Sequence, residues 1–326
     1  MTDRILIAES SGFSEVALDK LRAVGQVDLA DLDRQALLSR VRDANVLWVR
    51  LRNYIDRAVF DAAIRLTAIA TATTGLNHID LDEAQRRGIR VISLKGETEF
   101  LKNIHATAEH TLALILALIR KLPSATGHVL SGGWDRDLFM GRELYGKTAG
   151  IVGYGRVGRM VARYLSAFGM KVQISDPRAT EGSVEPGTAL QSLERLLHTS
   201  DLVTLHVDLS EQTFRFFGKR QFEQMKTGAW FINTSRGELI DENSLLQSLA
   251  SGKLAGAALD VLSDEQHADA QHPLIQYARL HSNLLITPHI AGCTKESREM
   301  TENFLASQVV KYLQAKNAGE YAASRG

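Results

Sequence analysis

Gly153, Gly155 and Gly158, in the run TAGIVGYGRVG from Thr148, have the G-x-G-x-x-G spacing that lets a backbone close around a phosphate. One glycine permits a tight strand-to-helix turn, one lets a pyrophosphate approach the backbone, and one lets the helix lie close against the sheet. Arg156 and Val157 open that helix, whose free N–H groups and positive dipole end then face the phosphates. Asp176 follows at about the 20-residue distance at which an acid accepts hydrogen bonds from the adenosine ribose hydroxyls. A carboxylate there repels a ribose 2′-phosphate, which favours NAD over NADP, and the neighbouring Arg178 softens that preference. The chemistry of the constellation is dinucleotide binding. With 25 glycines in the chain the pattern alone is weak, so the elements around it must carry the reading.

Those elements are a strand at 149–152, a helix with Val157, Val161, Leu165 and Phe168 on one apolar face, a stop at Gly169, and a strand at 171–175. Further strands are expected at 202–206, 229–233, 256–260 and 284–286, six in all. His206, Thr234, Ser235, Asp260 and His289 each follow apolar strand residues, and in open parallel sheets such strand ends line the ligand crevice. The first hundred residues also alternate, with strands at 5–8, 27–29, 46–49, 67–72 and 91–94 and helices near 14–24, 34–42 and 81–87. That predicts a second parallel sheet covered by helices, without a phosphate loop. A long helix over 106–121, broken by Pro123, reads as a strut between two domains. The loop from Gly127 to Lys147 carries Trp134, Leu138, Phe139 and Met140, which predict either local packing over the strut or a subunit contact.

A chain of 326 residues is long enough for two domains, and its 38 basic and 38 acidic residues cancel, which argues against nucleic acid or a membrane surface as partner. One cysteine, Cys293, rules out an internal disulfide framework. It lies four residues from His289 without an acyl-transfer motif and reads as a buried packing group. The ten histidines include no H-E-x-x-H, so no metal is expected. The start MTDRILIAES lacks a signal-peptide core, and the longest apolar run, Leu112 to Ile119, is far below the ~20 residues of a spanning helix. A cytoplasmic protein is expected, with an end that frays from Lys316.

Five segments in order, TTGLNHID from Thr73, GYGRVG from Gly153, NTSRGELID from Asn233, ALDVLSDE from Ala258 and TPHIAG from Thr287, closely resemble the D-isomer-specific 2-hydroxyacid dehydrogenases. The resemblance runs over nearly the whole chain. It implies an α/β fold of two doubly wound parallel-sheet domains: a Rossmann NAD-binding domain over 102–290, and a flavodoxin-like substrate domain built from 1–101 and 291–326, the chain crossing back after Pro288. It also implies NAD as cofactor and hydride transfer between NAD(H) and a small D-2-hydroxy acid or its 2-keto partner.

By this resemblance Arg236 holds the substrate carboxylate and polarises the reacting oxygen, His289 is the acid/base, and Glu265 orients its imidazole. Gly75 and Leu76 present backbone N–H groups to the carboxylate. Thr74, His206, Val207, Thr234, Ser235, Asp260 and Gly292 join the glycine loop as cofactor residues. Arg50 and Arg52 either bind an acidic substrate tail or are solvated, and His78 reads as a loop histidine without catalytic role. Gln266 and HADAQHPL depart from the family's proline-containing turn after the glutamate, which bears on loop shape. Lys102 and His105 lie in a slightly long connection and bear on substrate choice. The segment WDRDLFMGRELYGK resembles the matching part of D-3-phosphoglycerate dehydrogenases, with Arg50, Arg52 and Arg136 available for a phosphate, although the chain stops before a regulatory C-terminal domain. Glyoxylate or hydroxypyruvate reduction is the alternative activity, and an NAD-sensing corepressor-like binding protein the alternative of another class. The family implies a homodimer.

Overall fold

Short runs of Val, Ile, Leu and Ala alternate along this chain with helices, several of them capped at their first N–H groups by Ser, Thr or Asp, and the alternation builds two parallel sheets. The computed structural model describes residues 2–319. Two compact units result, one from the residues up to Asn103 together with those from Cys293 on, the other from Ile104 to Gly292.

In the first unit, β1 (Asp3–Ile7), β2 (Gly25–Leu29), β3 (Val46–Val49), β4 (Ala68–Thr71) and β5 (Arg90–Ser93) pair in parallel in the order β2-β1-β3-β4-β5. This is the flavodoxin-like order. Its inner strands β3 and β4 are buried along their whole length, as a sheet covered on both faces requires. Ser14, Asp33, Asp56 and Asp80 each accept an N–H from the first turn of the helix that follows. The helix Arg57–Ala62 was not anticipated, because six residues are too few to show a helical period. The long helix Lys295–Asn317 packs on the helix Glu15–Arg22. Lys316 and Asn317 both bond the Asp3 carboxylate, so the chain is held past the point where fraying was expected. The rest of that expectation, over 320–326, lies outside the described residues.

In the second unit, β6 (Thr148–Val152), β7 (Lys171–Ser175), β8 (Thr188–Leu190), β9 (Leu202–Leu205), β10 (Ala229–Asn233), β11 (Leu254–Leu259) and β12 (Leu284–Ile286) run in the order β12-β11-β10-β9-β6-β7-β8, all parallel. The direction of winding reverses between β6 and β9, which opens a crevice at their carboxyl ends. Among the described residues this sheet has seven strands against six expected, because β8 is a three-residue edge strand with no buried residue and so leaves no apolar run to read. The helix Ala106–Ile119, expected to be a strut, buries Leu114, Ile115, Leu118 and Ile119 in the core of this unit. Pro123 does not simply end it. The chain restarts as the helix Leu122–Leu130 with the proline in its first turn, so Gly127 to Leu130 are helical and not loop. The helix Arg156–Ala167 buries Gly158, Val161, Ala162 and Leu165, while Phe168, expected on that face, is exposed at its end. No single helix among the described residues is long and apolar enough to cross a membrane.

Candidate active site

The phosphate turn shows why it is made of glycine. Gly153 has φ +92°, and a Cβ there would stand 2.3 Å from the His206 carbonyl oxygen. The ends of β6 and β9 can touch only because nothing projects between them. A Cβ on Gly158 would stand 2.1 Å from the Gly153 carbonyl oxygen, so the helix closes onto the turn, whereas at Gly155 it would meet open space. Gly155 caps the helix with no side-chain hydrogen bond, leaving first-turn N–H groups at the open side. This cradle fits a pyrophosphate.

Asp176 follows β7 with its side chain 7% exposed. Its Oδ2 accepts the Tyr154 N–H and its Oδ1 the Arg178 N–H, each at 2.8 Å. Burial alone would raise its pKa, but those two bonds and the Arg178 charge outweigh it and hold the carboxyl below its ordinary range. Tyr154 is buried with the Arg159 guanidinium 4.3 Å from its ring centroid. Arg156 donates Nη1 to the Ile104 carbonyl at 2.6 Å, so the guanidinium is spent on the chain, and its contribution to the turn is its backbone.

At the end of β9 the His206 Nε2 lies 3.0 Å from Thr204 Oγ1, and Nδ1 is buried without a partner. Burial pushes this imidazole down to about 3, so it stays neutral, and what it offers the turn is its carbonyl against Gly153. Val207 packs at the margin of the core.

Beyond β10, Asn233 and Ser235 fix the strand end: Asn233 Nδ2 donates to the Arg236 carbonyl at 2.8 Å, the Ser235 N–H donates to Asn233 Oδ1 at 3.0 Å, and Ser235 Oγ donates to the Leu205 carbonyl at 2.8 Å. Arg236 is half-buried with Nη1 on the Ser235 carbonyl at 2.6 Å. Burial lowers its pKa, opposed by the charges of Glu265, Glu238 and Asp208, and a guanidinium remains a cation. A Cβ on Gly237 would lie 2.0 Å from the Leu262 carbonyl carbon. Glycine thereby lets the Arg236 strand end press against the loop that carries Glu265.

That loop is pinned to Glu242, which accepts the Ser263 N–H at 2.7 Å and faces His272 Nε2 at 3.4 Å. The loop that contains the sequence departure after Glu265 is thus held at both ends by Glu242. Glu265 opens a 3-10 turn, and its Oε1 lies 2.6 Å from His289 Nδ1. His289 has φ +52°, a left-handed backbone uncommon outside glycine, and its N–H donates to the carbonyls of Asp260 and Thr287 at 2.8 and 3.0 Å. Asp260 is buried. Its Oδ1 accepts from Thr287 Oγ1 and the Ile290 N–H, and its Oδ2 from the Ala291 N–H, so the carboxylate anchors the segment on both sides of His289. Burial would raise its pKa, but bonds from His110, Thr287, Ile290 and Ala291 prevail and keep it ionised. Gly292 follows, exposed.

The residues expected to meet substrate from the first unit are arranged as follows. Thr73 Oγ1 donates to the Gly75 carbonyl at 2.8 Å and lies 3.1 Å from Thr71 Oγ1, which in turn contacts His78 Nε2 at 3.2 Å. His78 is therefore buried scaffold beneath the turn of Thr74, Gly75 and Leu76. Arg50 directs Nε and Nη2 at Glu302 Oε1 and Nη1 at the Ser11 carbonyl, and Arg52 approaches Asp31 at 3.5 Å. Arg50 is thus engaged within the chain, whereas Arg52 remains exposed. Lys102 pairs with Glu99 on its own turn, and His105 Nδ1 contacts Tyr164 Oη at 3.1 Å. Cys293, expected to be buried, is exposed with Sγ 2.9 Å from Arg298 Nη2. Trp134, Leu138 and Met140 are likewise exposed, whereas Phe139 is half-buried with its ring 5.2 Å from that of His128 on the helix Leu122–Leu130, so of the four only Phe139 packs locally. Sequence reasoning missed His110 and Thr111, whose partners Thr287 and Thr234 lie 177 and 123 residues away, a separation no local spacing reveals.

Comparison with known proteins agrees with this geometry. The family described as D-isomer specific 2-hydroxyacid dehydrogenase, NAD binding domain, matches residues 112–291. The D-3-phosphoglycerate dehydrogenase of Archaeoglobus fulgidus is 37% identical over 321 residues, 97% of this chain and 59% of that protein, so this chain spans little more than half the relative's length. The glyoxylate reductase of Thermofilum pendens is 36% identical over 87% of this chain and 82% of its own. The crystal structure of the Aquifex aeolicus D-lactate dehydrogenase, complexed with NAD and lactic acid, superposes with a TM-score of 0.81 at 28% identity, covering 99% of this chain and 98% of that one. The glycine turn, the strand-end arginine and the paired glutamate and histidine thus sit in a chain that belongs to the D-isomer-specific 2-hydroxyacid dehydrogenases and carries their NAD-binding domain.

Proposed function

We propose that this protein is an NAD-dependent oxidoreductase that interconverts a small D-2-hydroxy acid and its 2-keto acid. The observation that carries the proposal is the 2.6 Å contact between His289 and Glu265, in the same unit as the phosphate turn. An ionised Glu265 can only accept, so His289 Nδ1 holds a proton and Nε2 is left to take or give one at the substrate oxygen. The bound nicotinamide supplies or accepts the hydride. Arg236 pairs with the substrate carboxylate and draws charge onto the reacting oxygen through a planar fork of donors. Gly75 and Leu76 contribute backbone N–H groups to the same carboxylate, as the family resemblance implies. His289 as imidazolium serves reduction, and as neutral imidazole it serves oxidation.

On the side of the substrate, the engagement of Arg50 by Glu302 and Ser11 favours an unphosphorylated acid such as glyoxylate or hydroxypyruvate. Identity to a phosphoglycerate dehydrogenase keeps 3-phosphoglycerate as the competing substrate. NADH oxidation with a panel of 2-keto acids, phosphorylated and not, decides between them. Tight NADH binding without turnover on any acid would replace the enzyme with an NAD sensor.

Asp176 sets cofactor choice in this reading. NADP is expected to give a much lower kcat/KM than NAD, because its 2′-phosphate meets an ionised carboxylate, and Asp176→Ala is expected to narrow the gap. Equal kcat/KM for the two cofactors in the parent would refute the assignment.

A two-fold homodimer completes the proposal. Leu130, Trp134, Met140 and Tyr145 are 83%, 89%, 76% and 79% exposed within one short stretch, which offers apolar side chains to a two-fold partner. Sedimentation at micromolar concentration is expected to give a dimer that Trp134→Arg converts to monomer. A parent monomer would refute it. Arg136, 95% exposed on the same stretch and 3.5 Å from its neighbour Asp137, is proposed to reach the neighbour's site, and a dimer whose activity survives Arg136→Ala would refute that reach alone. A cytoplasmic setting agrees with the exposed free thiol of Cys293.

A further inference from the structure

We propose that His110 and Thr111, consecutive residues of the helix Ala106–Ile119, are positioning residues for this reaction, His110 acting on His289 through Thr287 and Asp260, and Thr111 acting on Arg236 through Thr234. The chemistry rests on the function proposed above, whereas the coupling rests on geometry alone. Thr287 has one hydroxyl proton and gives it to Asp260 Oδ1 at 2.5 Å. The 3.1 Å contact between His110 Nε2 and Thr287 Oγ1 therefore has His110 as donor, and the same nitrogen lies 3.3 Å from Asp260 Oδ1. A directed chain of hydrogen bonds thus runs from the helix to the buried carboxylate.

That carboxylate holds the N–H groups of Ile290 at 2.9 Å and Ala291 at 2.7 Å, the two residues after His289, while the Asp260 carbonyl takes the N–H of His289 itself. A left-handed backbone brings the Cβ of a non-glycine residue too close to the following carbonyl oxygen and is strained. His289 keeps φ +52° only while its flanks are held. On the next residue of the helix, fully buried Thr111 gives its proton to the Thr107 carbonyl at 2.7 Å and so accepts the Thr234 hydroxyl at 2.8 Å. Thr234 lies two residues before Arg236. One step along one helix therefore touches both reactive loops, and the helix is itself fixed by burial of Leu114, Ile115 and Leu118. Placement at this scale matters, since a shift of about 1 Å in a reacting group can cost on the order of 10² in rate.

The test uses the full chain with His110→Leu, His110→Gln, Thr111→Val and Thr111→Ser. His110→Leu is expected to lower kcat about 10- to 100-fold with the Kd for NADH and the Tm near the parent values. His110→Gln, whose amide keeps an N–H donor, is expected to restore most of it. Thr111→Val is expected to raise the keto-acid KM several-fold with a smaller effect on kcat, and Thr111→Ser to restore it. In ¹⁵N-histidine spectra the His289 resonance, assigned by its loss in His289→Gln, is expected to move in His110→Leu and return in His110→Gln. That spectrum needs no turnover, so a moved resonance in a protein inactive on every acid would sink the dehydrogenase reading and leave the coupling standing. An unmoved His289 resonance with unchanged kcat in His110→Leu would overturn the proposal for His110. Losses in Thr111→Val that only track the unfolded fraction would overturn it for Thr111.

Discussion

His289→Ala is expected to lower kcat in both directions by a factor on the order of 10² to 10⁴, with NADH affinity nearly intact. The reacting oxygen must lose a proton in oxidation and gain one in reduction, and Nε2 of His289 is the group proposed for both. The residue does not line the phosphate turn, and its backbone bonds to Asp260 and Thr287 survive truncation of the ring, so cofactor binding has no reason to fall with it. Glu265→Gln tests the partner separately. It keeps a hydrogen bond to Nδ1 through the amide oxygen but removes the carboxylate that faces the ring, so kcat should fall in both directions by less than in His289→Ala, with NADH affinity nearly intact. Initial rates across pH in both directions check these expectations. A His289→Ala protein with near-parental kcat would remove the histidine from the mechanism, and a Glu265→Gln protein with unchanged kcat in both directions would remove the glutamate as its partner.

Arg236→Ala is expected to raise the keto-acid KM and lower kcat together, for a combined loss in kcat/KM on the order of 10² to 10⁴. In the proposed mechanism two effects are lost at once, the bidentate hold on the carboxylate and the positive charge near the developing oxyanion. Arg236→Lys should recover little, because an ammonium carries the charge without the fork. Steady-state kinetics with substrate varied at saturating NADH checks the split. A rise in KM with unchanged kcat would confine Arg236 to binding and leave polarisation of the oxygen to another group.

The sequence by itself determined the parts whose physical cause is local. A φ of +92° at Gly153 and the close approaches at Gly153 and Gly158 can be met only by glycine, so the phosphate turn shows as spacing. Buried central strands show as apolar runs, which is why β3, β4, β6 and β10 were legible nearly to the residue, while the edge strand β8 and the six-residue helix Arg57–Ala62 were not. Polar residues directly after such strands pointed to the crevice, and the five family segments supplied the roles of Arg236, Glu265 and His289. Only the tertiary structure decided what depends on distant partners. It spent the Arg50 guanidinium on Glu302, 252 residues away, and brought Cys293 and Trp134 to the surface, where their apolar character alone suggested burial. It built the helix Ala106–Ile119 into the core of its unit, from where it carries His110 and Thr111 to two loops more than a hundred residues downstream. A hydrogen bond between such residues constrains two atoms in space and leaves no period, run or spacing along the chain, so the fold must be formed before it can be seen.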